Sequence, residues 1–140
     1  MGGLTEMGFA AGSLVLVVSH QGRGVVDLTS GDVIARARDR QETGAWFDAA
    51  RRAALGIGPL DDTWISVCGL AGGRLPDATA DGWKARASGD GVTVSAPGCE
   101  PLAVSQREEI RAFGFSPDGT TFIIATAPGL AIYRRGDELQ

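Results

Sequence analysis

The chain has 140 residues, a formal net charge of −4, 44% hydrophobic and 21% charged residues; that length suits a single domain, 1–140, burying roughly two thirds of its unfolded surface, and the composition excludes wholesale disorder. The acidic balance repels phosphate backbones and anionic lipid, so neither nucleic acid nor a membrane is an expected partner. The 21 glycines are about twice the usual ~7% share and lack the every-third spacing of collagen, which predicts many tight turns and short elements.

The opening segment "MGGLTEMGFAAG", residues 1–12, carries Glu6 and no Lys or Arg, unlike the basic start of a secretory signal. The apolar run that follows, "SLVLVV" at 13–18, falls far short of the ~20 residues that span a bilayer, so a cytoplasmic location is expected. "LVLVVS" at 14–19 reads as a strand covered on both faces, because β-branched residues and leucine follow one another without a polar break. The turn "HQGRG" leads to a second strand, "VVDL" at 25–28, and "TSGD" at 29–32 leads to a third, "VIARAR" at 33–38. Alternation in the third strand sets Arg36 and Arg38 on one face and Ala35 and Ala37 on the other. Together these strands predict a three-stranded meander.

"TGAWFDAARRAAL" at 43–55 changes character. Its alanines, the helical spacing of Trp46, Phe47, Ala50, Ala53 and Ala54 or Leu55, Thr43 as N-cap and Gly56 as stop predict one α-helix at about 44–55. "GIGPLDD" at 56–62 is a breaker-rich loop, "TWISVCGL" at 63–70 a strand, and "AGGRLPDATADG" at 71–82 a long surface loop. "WKARAS" and "VTVSAP" flank "GDG" at 89–91, and an Asp-Gly pair between alternating runs signals a hairpin. "GCEPLAVSQREE" at 98–109 reads as irregular chain or a weak edge strand. From Ile110, "IRAFGFS", "TFIIATA" and "LAIYRR" are three strands separated by "PDGT" and "PG". The fold class is therefore mainly β, built of antiparallel, blade-like meanders with the one helix.

The stretch "AFGFSPDGTTFIIATAPGLAIYRR" at 112–135 resembles part of a β-propeller blade of the WD-repeat and quinoprotein-like kind, and "GVVDLTSGDVIAR" is similar to the last two strands of one. The resemblance spans residues 14–38 and 110–135. It implies a turn in which Pro117 sets the bend, Asp118 ties it with a side-chain hydrogen bond and Gly119 takes positive φ. A propeller needs at least four blades of about 40 residues. The chain is then either a compact meander with a blade's grammar, the expected outcome, or a piece that closes a ring with further copies. In both cases the terminal meanders are expected to join one buried sheet system, with the helix and the middle hairpin packed around it. Other features, "GIGPL", "GGRLP" and "FGFSPDG", resemble small bacterial proteins of unassigned function, and the abundant Ala, Gly and Arg suit a bacterium rich in G+C.

No convergent catalytic set is evident. Histidine is the usual acid–base side chain at physiological pH, which makes His20 a candidate, but its neighbour Ser19 points to the opposite face of a strand, so the two do not form a nucleophile and base. "GLAGGRLP" at 69–76 follows a strand as phosphate loops do, yet lacks the Lys-Ser/Thr pair. Asp61, Asp62, Asp77, Asp81 and Asp90 lack the spacing of a calcium loop, and Cys68 and Cys99, without a CxxC pair and with one histidine in the chain, read as reduced, buried small hydrophobes rather than zinc ligands. No metal or cofactor is expected. Trp46, Phe47, Arg74, Trp83 and His20 are candidate partner contacts, because rim aromatics and arginine are enriched in binding patches; Trp46 and Phe47, about 100° apart on a helix, leave one at the rim. These features favour a non-enzymatic protein-interaction module, regulatory or toxin-neutralising, that meets another protein as a monomer or small homo-oligomer. The alternative is a small hydrolase or ligand-binding enzyme using His20 with Asp27 or Asp48.

Overall fold

A computed structural model describes residues 3–10, 12–20, 22–38, 45–70, 72–88, 91–105, 109–126 and 128–134. Strands β1 (Leu4–Phe9), β2 (Leu14–Ser19), β3 (Gly22–Asp27) and β4 (Val33–Ala37) join β8 (Cys68–Gly69) in a five-stranded sheet of order β4-β3-β2-β1-β8. Three sheets of three strands follow: β5 (Phe47–Asp48), β6 (Ala53–Leu55) and β7 (Trp64–Ser66); β9 (Lys84–Ser88), β10 (Gly91–Ser95) and β11 (Leu102–Ser105); and β12 (Ile110–Phe115), β13 (Thr121–Thr126) and β14 (Gly129–Arg134). Every strand pair is antiparallel. The fold is mainly β, as the strand runs and glycine turns of the sequence lead one to expect.

Side-chain alternation explains how the sheets stack. On β2, Val15 and Val17 enter one hydrophobic layer and Leu16 and Val18 another, as a period of two demands of a strand buried on both faces. Leu16, Val18 and Val25 meet Trp46, Ala54, Leu60, Ile65 and Val67, so the β5–β7 sheet covers one side of the five-stranded sheet. On the other side Leu4, Met7, Val15 and Val17 meet Ile123 and Ala125 of β13. β13 is also two-faced, since its Phe122 and Ile124 pack with Ala85, Val92, Val94 and Phe115 against the β9–β11 sheet. The terminal meanders therefore form two hydrogen-bonded sheets rather than the single sheet system expected. What unites them is a shared apolar layer, reinforced by Arg111 Nε, which donates to the Leu4 carbonyl at 3.2 Å.

Two expectations are overturned. Thr43 and Gly44, the expected start of the helix, lie outside the described residues, while 45–55 form a hairpin. Phe47 pairs with Ala54 and Asp48 with Ala53 around a turn in which Arg52 has φ 51°, and the Arg51 N–H donates to Asp48 Oδ1 at 3.2 Å. Burying Trp46 and Ala54 in one layer outweighs the helix preference of the alanines, which amounts to no more than ~0.7 kcal/mol per residue over ordinary residues. The propeller resemblance fails as well, because the described strands form separate sheets of three or five strands and none closes. The turn read from "SPDG" is present on its own: Asp118 Oδ1 accepts from Ser116 Oγ at 2.7 Å and from the Thr120 N–H at 3.1 Å, and Gly119 has φ 74°.

The segment 63–70 is split between β7 and β8, which belong to different sheets. The "GDG" hairpin is formed by β9 and β10, with residues 89–90 outside the described set. The segment 72–82 contains no strand, only isolated bridges, but it is pinned: Leu75 is buried, and the Phe115 and Ala85 N–H groups donate to the Pro76 and Asp77 carbonyls at 2.7 and 2.8 Å. Among the described residues no helix is long and apolar enough to cross a membrane.

Candidate functional site

Of the five candidate contact residues, only Trp46 and Phe47 meet. Trp46 is buried, with its ring edge-on to half-buried Phe47 at 6.1 Å between centroids. The Arg23 guanidinium lies 4.5 Å from the Trp46 ring centroid and donates through Nη1 to the Leu55 carbonyl at 2.8 Å. This cation–π contact fastens β3 to the β5–β7 sheet. Trp83 is half-buried in the separate layer beside β9 and β10. His20 is exposed on the turn after β2, and Arg74 is exposed in the 72–82 segment.

The His20–Asp27 pair of the enzyme alternative does not come together. β2 and β3 pair Ser19 with Gly22 and Leu14 with Asp27, so His20 and Asp27 stand at opposite ends of the hairpin, ~17 Å apart at the strand rise. Asp27 instead braces a turn: the Thr29 N–H and the Ser13 hydroxyl donate to Oδ1 at 2.8 and 3.0 Å, and these bonds hold its carboxyl below the ordinary 3.8. Asp48 caps the turn after β5 through the Arg51 N–H. Cys68 is buried as expected, its thiol pushed up to about 11 by burial and then by the nearby Glu6, which makes it a poor nucleophile at neutral pH. Cys99, expected inside, is exposed, because it lies on the turn after β10 rather than on a strand. No group of three or more His, Cys, Asp or Glu able to hold a metal ion occurs among the described residues.

The sheet edges are the other place where chemistry is on offer, since an edge strand presents unpaired N–H and C=O groups. Most of these edges are blunted. β4 carries a bulge, Val25 pairing with Ala35 and Val26 with Val33 so that Ile34 has no partner, and its Arg36 is exposed. β5, β7 and β8 have only two or three residues. β9 is covered by Asp77 and Ala78, β11 is short and starts after Pro101, and β12 lies against β1 and β8.

β14 differs. It runs for six residues, pairs with β13 in unbroken register from Thr126↔Gly129 to Thr121↔Arg134, and pairs with no other strand among the described residues. Its first five residues, "GLAIY", carry no charge. Thr126 and Gly129 close a two-residue loop, and partners that flank such a loop bond to each other; strict alternation then turns the N–H and C=O groups of Leu130 and Ile132 away from β13. Tyr133 is 39% exposed, with its ring 6.4 Å from that of Phe122. The sequence shows this stretch to be a strand. Its status as an open edge depends on what lies beside it, and only the missing charges and the absence of a proline hint at that.

No known protein family matches the chain, and no curated protein or solved structure matches it either.

Proposed function

We propose that the protein is a non-catalytic interaction module, regulatory or toxin-neutralising, that binds an extended segment of a basic partner protein as a further strand along β14. The observation that carries this reading is the outer edge of β14, free of charge over its first five residues and unpaired among the described residues, where the other described sheet edges are short, bulged or covered. Strand addition to such an edge supplies main-chain hydrogen bonds for affinity and alternate side-chain contacts for specificity. The occupant follows from charge. Each copy carries −4, which opposes pairing of two copies and accelerates encounter with a basic protein. The separation of His20 from Asp27 and the turn-bracing roles of the aspartates support a binding role over hydrolysis.

The test is capture of partners from the source cell on the immobilised chain, with cross-links mapped by mass spectrometry. Leu130→Pro removes an outward N–H and is expected to lower capture at least tenfold, with cross-links in the wild-type complex at β14. Ile34→Lys, on the bulged β4 edge, is expected to leave capture unchanged. Equal capture by a folded Leu130→Pro variant, or cross-links confined to another surface, overturns the proposal. Sedimentation of the purified chain separates pairing of two copies from binding of a different protein.

A further inference from the structure

The face of the β9–β11 sheet that points away from the core is cationic in an otherwise acidic molecule. Val92, Val94 and Ala85 face inward and are buried. Alternation places Lys84 and Arg86 of β9 and Thr93 and Ser95 of β10 on the opposite face, where register sets Arg86 across from Thr93 and Lys84 across from Ser95. Directly opposed residues have Cβ atoms ~5 Å apart, so two cations and two hydroxyls share one small area. These four residues, together with Asp77, Ala78 and Pro101, line a groove of about 520 Å³, which is within the usual span of about 300–1,000 Å³ for small-molecule sites.

The electrostatics of the groove are unbalanced. Neither Lys84 nor Arg86 has an ion-pair partner among the described residues. Two like charges two residues apart on one strand face repel each other, and a bound anion relieves that repulsion. The opposing acid, Asp77, stands on the wall, where its backbone carbonyl accepts from the Ala85 N–H at 2.8 Å and fixes that wall to β9. The floor therefore offers the planar five-donor fork of arginine, the three donors of lysine and two hydroxyls that can donate.

We infer that the groove over Lys84, Arg86, Thr93 and Ser95 is a binding site for a small oxyanion, a phosphate or carboxylate group. Arg86 takes two of its oxygens in bidentate fashion, Lys84 supplies a second charge, and the Thr93 and Ser95 hydroxyls orient the remaining oxygens. The site lies on a different sheet from β14 and stands independently of the proposed strand addition.

The test is a titration of the full chain, followed by amide chemical shifts, with inorganic phosphate in one series and citrate in another at constant ionic strength. Saturable shifts at 84–86 and 93–95 are expected with at least one of the two anions, and the anion that binds more tightly tells a phosphoryl ligand from a carboxylate one. The Lys84→Gln/Arg86→Gln double variant is expected to bind at least tenfold more weakly and Arg74→Gln to bind as wild type. The replaced side chains are exposed, and the same spectra report whether the variant keeps its fold. Shifts that do not saturate with either anion, or that persist in a folded double variant, overturn the inference.

Discussion

Ile123→Ala tests the layer that joins the two ends of the chain. Ile123 is fully buried among Leu4, Met7, Val15, Val17 and Ala125. The substitution removes three carbons, worth ~0.8 kcal/mol each in transfer from water, and leaves a cavity that two packed sheets cannot readily close. Isoleucine-to-alanine changes of this kind cost about 2–5 kcal/mol, and about 3 kcal/mol is expected here. For a domain of this size each kcal/mol moves the melting temperature by about 3–5 °C, so a fall of about 10–15 °C should accompany the lower urea midpoint, with the denaturant slope unchanged. Tyr133→Ala, at a partly exposed position, is expected to cost clearly less. A loss below about 1 kcal/mol for Ile123→Ala would contradict a sealed layer between the five-stranded sheet and the β12–β14 sheet.

Other expectations follow from single features. A Cβ on Gly114 would press on the Leu75 side chain and the Pro76 carbonyl oxygen, the latter 2.7 Å away, so Gly114→Ala is expected to cost about 1–3 kcal/mol in urea unfolding. At pH 8 a thiol reagent is expected to modify Cys99 quickly and Cys68 only on unfolding, since burial and then Glu6 push the Cys68 thiol up to about 11; two thiols reacting at equal rates in the native state would refute this. Asp118 is held below its ordinary 3.8 by the Ser116 hydroxyl and then by Thr120. Because its folded value is depressed, its contribution is present above the unfolded value and is lost as pH falls through 3.8 toward the folded value. Asp118→Asn is therefore expected to flatten the acid side of stability against pH, read from urea midpoints.

Strands with one clear period were legible in the sequence. β2, β3, β4 and the β12–β14 meander were readable from β-branched runs and glycine turns, as was the Asp118 bend. β1 was not, although it lies inside the largest sheet. "LTEMGF" follows neither a period of two nor 3.6, because Thr5 and Glu6 are buried alongside Leu4 and Met7, and no local pattern signals a carboxylate destined for the interior. Gly8 in the same strand is required by a neighbour distant in sequence: the Ser66 carbonyl occupies the place where a Cβ would stand. The hairpin at 47–55 was hidden for the same kind of reason. Its alanines favour a helix locally, and only the layer containing Trp46, Ala54 and Leu16 makes strands the better solution. Of the candidate contacts, Trp46 was misplaced with that helix, while the β14 edge, unpaired among the described residues, and the Lys84–Arg86 face are products of sheet order that one-dimensional spacing does not carry.

Residue-resolved native-state amide exchange on the purified chain tests the central claim most directly. If the terminal meanders share one core and β14 is an open edge, the slowest amides of β1, β2 and β13 exchange with a common free energy equal to that of global unfolding. Within β14, Ala131 and Tyr133 are then protected while Leu130 and Ile132 exchange rapidly. Uniform protection along β14, or different opening free energies for β2 and β13, would contradict the account.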